Sequence, residues 1–372
     1  MCERSCILPR RKYRVAVVGG AGTWGRHYLR AYANHPDCEI VALADRAGDR
    51  RQDFADHHGI KVVYDTIDDL LAKDIPDIVS LILPVAYNPD AVISCAEAGV
   101  KVVSCEKPIA VTLSQADEMV RICRERGTVF GCGSVYSGVP YLLETIDWIG
   151  AGNIGRLTGA AIPGGLPQEV SGGGCVQLTL MRLLTGVEVE WVEGWALPPA
   201  SGWVPPPGVA EIEVDCPAYG RLGLYGGMIC EIPAPQPDRT VSCLVAVKGE
   251  DGQVWLASPR PVFIQGYGAA SMPASPEFFD TPTPEDFFTR RINLLMRAVD
   301  AGEEVLDSGH GYRQALEIAI ALKHSAQHNH QRIALPLEDR SLRIFPHPYR
   351  LRGGDVAGWE SIGYKGPPHV ES

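Results

Sequence analysis

The chain has no histidine between His58 and His310, no CxxC pair among its 11 cysteines, and no apolar run approaching the roughly 18 residues of a membrane span. The first absence removes the residue most often used for proton transfer near neutral pH from the whole middle of the sequence. The second excludes a zinc ribbon or a thioredoxin-like redox motif. An odd number of cysteines, several in apolar runs (Cys105, Cys230, Cys243), argues against a disulfide framework and predicts a reducing, cytoplasmic location. "MCERSCILPRRKY" lacks an apolar region long enough for a signal peptide, so neither secretion nor membrane insertion is expected. Positive charge is also scarce: 34 Lys and Arg face 45 Asp and Glu, a net charge of −11, which disfavours a nucleic-acid partner, and none is expected. The one basic cluster, Arg10-Arg11-Lys12, reads as a solvated tail. There is no internal repeat.

A length of 372 residues suits two domains rather than one core. From Tyr13 to about Ile149, short β-rich runs ("RVAVVG", "EIVALAD", "DIVSLIL", "KVVSCEKP", "TVFGCG") alternate with helical stretches at Trp24–Asn34, Ala47–His58, Asp90–Glu97, Ser114–Arg126 and Val139–Ile149. That alternation predicts βαβ units and a parallel sheet. After Gly155, strand-like pieces follow one another ("RLTGAAI", "VEVEWVEGWAL", "AEIEVDC", "GRLGLYG", "GMICEIP", "TVSCLVAVKG", "QVWLAS"). They predict a large, mostly antiparallel sheet with one face covered. Two helices return near Glu285–Ala301 and His310–Gln327. The predicted fold is therefore an α/β Rossmann domain followed by an α+β domain. The expected division is 1–133 for the tail and Rossmann domain, 134–345 for a substrate and oligomerisation domain, and 346–372 for a C-terminal arm. That arm is Gly/Pro-rich but carries Tyr349, Trp359 and Tyr364, which predicts docking on another surface, a second subunit being one candidate.

"VAVVGGAGTWGRHYLRAY" sets a β run directly before Gly20-x-Gly22-x-x-Gly25 and a helix. Gly20 permits a tight turn, Gly22 lets the backbone approach a pyrophosphate, and Gly25 allows close helix–strand packing. Asp45 ends the next strand, where an acid can accept from both ribose hydroxyls, which favours NAD. Arg46 can hold a 2′-phosphate, so NADP is the alternative. Lys107 falls just past a strand end, on the side where open α/β sheets bind ligands. There it can hydrogen-bond a substrate oxygen, and desolvation would lower its pKa. A surface lysine at a strand end is the plainer alternative.

"GGAGTWG", "ILPVAYN", "GVKVVSCEKPIAVT" and "GNIGRL", in this order, resemble the Gfo/Idh/MocA oxidoreductases, with Glu106-Lys107-Pro108 as the most specific piece. The C-terminal helices from "FFTRRINLL" to "IALPL" are similar too. The resemblance implies NAD or NADP bound between two domains. Its lining would include Thr23, Trp24, Leu83, Pro84, Asn88, Glu106, Lys107 and Pro108 beside Gly20, Gly22, Gly25, Asp45 and Arg46. It implies a sugar, a cyclitol or a related small molecule as substrate, Lys107 as a substrate-positioning proton donor, and often a cis Lys–Pro peptide. A homo-oligomer, dimer or tetramer, through the open sheet face and the arm is also implied.

One part of the pattern is missing. The family's catalytic helix carries glycines, then Asp, then His four residues later. In "SGGGCVQLTLMRLL" (Ser171–Leu184) those places hold Leu178 and Arg182, or Gln177 and Met181 one residue earlier. None is a base, since arginine stays protonated. These four are expected to line the substrate, and Tyr136, from the family's Arg-Tyr pair, joins Lys107 as a catalytic candidate. Three functions follow. The first is an oxidoreductase with an atypical acid/base centred on Lys107, with Tyr136, Tyr267, His310 or Tyr312 as partners. The second is an NAD-retaining redox-neutral enzyme for elimination, hydrolysis or isomerisation. The third is a non-catalytic NAD(H) or sugar sensor. His324 and His328 have metal-chelating i,i+4 spacing but read as a polar helix end, as do Cys2 and Cys6 as loose chain, so no metal is expected. "GWVPPPG" (Gly202–Gly208) reads as a loop.

Overall fold

The structure is a computed structural model that describes residues 12–133, 135–199, 203, 205–236, 241–281, 286–354, 358–360 and 363–369, with the side chains of 135 and 136 left out. The alternating part forms a six-stranded sheet of β1 (Tyr13–Val18), β2 (Cys38–Ala44), β3 (Val63–Tyr64), β4 (Ile78–Leu81), β5 (Val102–Cys105) and β6 (Val129–Cys132). All pairs are parallel and the spatial order is β3-β2-β1-β4-β5-β6. The order reverses between β1 and β4, the switch point at which such sheets bind ligands beyond their strand ends. β4 and β5 are buried at every residue, as strands covered on both faces must be.

The helices are α1 (Gly25–Asn34), α2 (Gly48–His58), α3 (Ile67–Leu71), α4 (Asn88–Ala98), α5 (Leu113–Arg126) and α6 (Leu142–Gly150). All but the short α3 follow the sequence pattern to within three residues. Thr112 and Gln115 form a capping box at the start of α5, satisfying backbone donors that would otherwise be orphaned.

The second sheet has nine strands: β7 (Leu157–Ala161), β8 (Val189–Ala196), β9 (Ala218–Leu224), β10 (Met228–Ile232), β11 (Cys243–Gly249), β12 (Gly252–Ala257), β13 (Val262–Gln265), β14 (Met272–Ala274) and β15 (Ile333–Ala334). Their order is β14-β13-β12-β11-β7-β10-β9-β8-β15, and only the β7–β10 pair is parallel. α7 (Cys175–Thr185) and α9 (Gly309–Gln327) cover one face. On β12 the residues alternate, with Val254 and Leu256 inward and Trp255 outward, so the other face is open as predicted.

α8 (Phe287–Ala301) returns to the first sheet and packs on α1, and Ile292, Leu295 and Met296 share one core cluster with Leu29 of α1 and Phe54 of α2. The opposite face, under α4 and α5, merges without a break into the core beneath the nine-stranded sheet: Val79, Val103 and Met119 share one cluster with Leu178, Leu222 and Val245.

One expectation needs correction. "AEIEVDC" is not a strand but a single turn at Glu211–Glu213, because only Val214 pairs, with Phe345 of the C-terminal segment. After α10 (Pro348–Arg352) the described residues of the C-terminal segment lie against the Rossmann half of the same chain.

Candidate active site

β1 ends at Val18 and the chain turns through Gly19–Trp24 into α1. A side chain at Gly25 would run into the carbonyls of Gly19 and Gly20, so only glycine lets the helix start this close to the strand. Asp45, at the end of β2, accepts from Ala21 N through Oδ2 at 3.1 Å and from Ala47 N through Oδ1 at 2.9 Å. It is thereby tied to the turn. Around the position of a Gly22 Cβ, the atoms within 4 Å among the described residues, its chain neighbours aside, are Gly19 O at 3.6 Å and Trp359 Cζ3 at 3.9 Å. Thr23 Oγ1 is buried with no hydrogen-bond partner among the described residues. An orphaned hydroxyl beside a side-chain-free backbone at a helix N-terminus fits an anionic diphosphate. Trp24 is exposed and packs on His27 and Phe288, and Arg46 lies 4.7 Å over the Tyr87 ring.

Glu106-Lys107-Pro108 follows β5, and the Lys107–Pro108 peptide is cis. Asn88, fully buried at the start of α4 beyond Leu83 and Pro84, donates through Nδ2 to Glu106 O at 2.8 Å and Pro108 O at 3.0 Å. Its Nδ2 thereby holds the turn's carbonyls, while its Oδ1 is buried with no hydrogen-bond partner among the described residues. Tyr28, on α1, donates to Glu106 Oε1 at 2.6 Å. Lys107 Nζ donates to Gly172 O at 2.9 Å, across to the second half of the molecule. Burial above all, and then the neighbouring Arg350 guanidinium, hold its pKa below the usual lysine range.

The glycine-rich entry to α7 is one wide helical turn, Val170–Gly174. Asp215, fully buried, pins it: Oδ1 accepts from Val170 N and Cys216 N, and Oδ2 from Ser171 N and Oγ, all at 2.5–2.9 Å. Burial pushes the Asp215 carboxyl up to about 6. Glu169, just before the turn, accepts from Arg350 Nε at 2.6 Å and from His347 N. Arg350 Nε lies 2.7 Å from where a Gly172 Cβ would be, so Arg350 and Lys107 converge on one glycine. The Cys175 thiol next to them is pushed up to about 11 by burial and stays protonated.

The positions expected to line the substrate divide. Leu178 and Met181 are wholly buried core residues and Gln177 is half-buried. Arg182 is spoken for by Glu188, which accepts from its Nε at 2.7 Å and from its NH2. His310 sits in that same charged group, near Arg182, Arg313 and Glu188. Tyr267 donates to the carbonyls of Gly249 and Gly252 in the second sheet, and Tyr312 packs on Gly133. The side chain of Tyr136 lies outside the described residues, as do Cys2, Cys6, Arg10, Arg11, Gly202 and Val204. His324 and His328 stack at 6.0 Å, with His328 Nδ1 bonded to His324 O. The sequence did not single out Glu169, Asp215 or Arg350. Each is an isolated charge whose partner is far along the chain.

Residues 13–134 match the model of the Gfo/Idh/MocA family, described as an oxidoreductase family with an NAD-binding Rossmann fold. Among curated relatives, 2,7-anhydro-N-acetylneuraminate hydratase of Mediterraneibacter gnavus is 34% identical over 134 residues, 35% of each chain. D-glucoside 3-dehydrogenase of Escherichia coli is 33% identical over 116 residues, 31% of this chain and 33% of that one. These matches thus span about a third of the relatives' length. The fold extends further: the aldose–aldose oxidoreductase of Caulobacter crescentus, solved with glycerol, superposes with a TM-score of 0.71 at 21% identity, over 87% of this chain and all of that one.

Proposed function

We propose that this protein is an NAD-dependent oxidoreductase acting on a hydroxyl or carbonyl carbon of a sugar, a cyclitol or a related compound, with Lys107 as its acid/base. The carrying observation is the position of Lys107: past the end of β5, buried, and reaching Gly172 O at 2.9 Å at the entry to α7. NADP is the alternative cofactor, through Arg46. Residues 1–133 would hold the dinucleotide, Gly22 and Thr23 meeting its diphosphate and Asp45 its ribose. Residues 134–345 would supply the substrate face. Outward residues such as Trp255 and Val262, paired across β12 and β13, support a homo-oligomer through the open sheet.

Bound NAD would supply the hydride acceptor or donor; the chain supplies the proton transfer. Lys107, its charge disfavoured by burial and by Arg350, can take the proton from a substrate hydroxyl as that carbon is oxidised and return it in reverse. Gly172 O holds the ammonium in place while the substrate is absent. Glu169 neutralises part of the Arg350 charge and so sets how far Lys107 is shifted. Leu178 and Met181 keep water from the helix that usually carries the missing base. Lys107→Ala tests this assignment. Turnover of a polyol and sugar panel, followed at the reduced nicotinamide absorbance, should fall by about 10²–10⁴, with NADH affinity within twofold of the parent. Full activity in the variant would overturn it.

Redox-neutral chemistry is the second reading, favoured by the likeness of residues in the first half to a hydratase. Substrate loss without net change in nicotinamide absorbance would select it over the first.

A further inference from the structure

Beyond α10 the described residues of the C-terminal segment run back over the cofactor end of the first sheet. Gly353 lies against Pro84, and Trp359 packs on Gly354. The Trp359 indole faces the side-chain-free side of Gly22, its Cζ3 being 3.9 Å from the position a Cβ would take. Trp359 and Tyr364 meet edge to face, with ring centroids 5.2 Å apart. Arg50, on α2, stacks 3.7 Å over Trp359 and 5.5 Å from Tyr364. Arg26, on α1, lies 5.4 Å from Tyr364 and donates to Gly366 O. Tyr364 is also close enough to Asp45 to feel its charge.

Gly22 is the residue whose missing side chain admits a pyrophosphate, and Asp45 is the acid placed for a ribose. Trp359 lies against the first space and Tyr364 near the second, and the two aromatic rings stack with the Arg50 and Arg26 guanidiniums. The same volume cannot hold an indole and a diphosphate. We propose that the segment carrying Trp359 and Tyr364 is a built-in competitor of the dinucleotide: it closes the glycine-rich turn in the free protein and must lift off for the cofactor to enter. The device rests on the reading that this chain binds NAD. It makes cofactor affinity depend on the tail, so that whatever captures the tail, or removes it, raises occupancy of the site.

NADH is titrated calorimetrically into the full chain, Trp359→Ala, Tyr364→Ala and a chain ending at Arg352, with unfolding temperatures measured to show that each is folded. Release of the stacked arginine contacts should tighten binding by about tenfold in Trp359→Ala and by more in the shortened chain. Saturating NADH should also speed proteolytic cleavage at Lys365 in the full chain. Equal or weaker binding by the variants would overturn the proposal, weaker binding meaning that the segment builds the site instead of blocking it. If neither the full nor the shortened chain binds NADH, the NAD reading itself falls and the proposal with it; if the full chain binds and the variants gain nothing, only the proposal falls.

Discussion

Lys107 and Arg350 meet over the same residue: Lys107 Nζ bonds the carbonyl of Gly172, and Arg350 Nε fills the space where a Gly172 side chain would be. One comes from the end of a Rossmann strand and the other from a short helix more than two hundred residues later. Two cations share one desolvated corner, with Glu169 as counter-charge.

That pairing predicts a pH effect. Arg350 disfavours the charged form of Lys107, so Arg350→Met should let the Lys107 pKa rise. A base works when deprotonated, so the acid limb of kcat/KM for oxidation should move to higher pH in the variant. Loss of Arg350 by a purely structural route would lower activity at every pH without moving the limb, so the pH profile separates the two.

At the cofactor end, Gly22→Val should weaken NADH binding by tenfold or more, about 1.4 kcal/mol or greater, since its side chain would stand where the backbone must meet a phosphate. Thr23→Val, which removes only the orphaned hydroxyl, should cost less, about 0.5–1.5 kcal/mol. Calorimetric titration checks both, and a Gly22→Val protein that binds as the parent does would place the cofactor elsewhere.

Much of this was readable in the sequence. The glycine turn, Asp45 at a strand end, the βαβ alternation and Glu106-Lys107-Pro108 past a strand are local: each depends on residues within one βαβ unit, and hydrophobic period reports such units directly. The surroundings of Lys107 were not readable. Asp215 sits in a segment whose alternation looked like a strand, and its role comes from where the chain folds it, under Ser171. Arg182 is placed by the family's glycine–Asp–His pattern, and that pattern does not reveal that Glu188, six residues on, accepts from its guanidinium. Asn88 stood at a family position, and only the fold shows its amide turned inward to the Glu106 and Pro108 carbonyls.

Asp215 carries a stability prediction. Its folded carboxyl titrates at about 6, while an unfolded aspartate titrates near ~3.9. Between those values the unfolded chain is ionised and the folded one is not, so this group makes folding less favourable as pH rises through the window and has no such effect below it. Asp215→Asn should lose that slope. It should also lower stability by about 1–3 kcal/mol, because an amide nitrogen would then face the Val170, Ser171 or Cys216 N–H. Urea unfolding at pH 4.5 and 6.5 measures both effects.

Arg291 and Asp307 form an ion pair at 2.8 Å with side-chain exposures of 1% and 3%, and Arg291 also donates to Ser104 Oγ on β5 at 2.8 Å. Arg291→Met should cost about 3–5 kcal/mol by stranding a buried carboxylate. Arg291→Met with Asp307→Leu should recover part of it. If the double variant is no more stable than the single one, the cost lies in packing and not in charge.

The unbroken core between the two sheets limits how this molecule can breathe. Val103 and Met119 share one apolar cluster with Leu178 and Val245, and Arg340 bridges Asp117 of α5 to Glu317 of α9. Swinging the halves apart about a hinge would expose that cluster to water and break the bridge at once. With the tail as the proposed competitor, the exchange rate of a dinucleotide at the glycine-rich turn should track how fast the tail peels away, not how fast two lobes open.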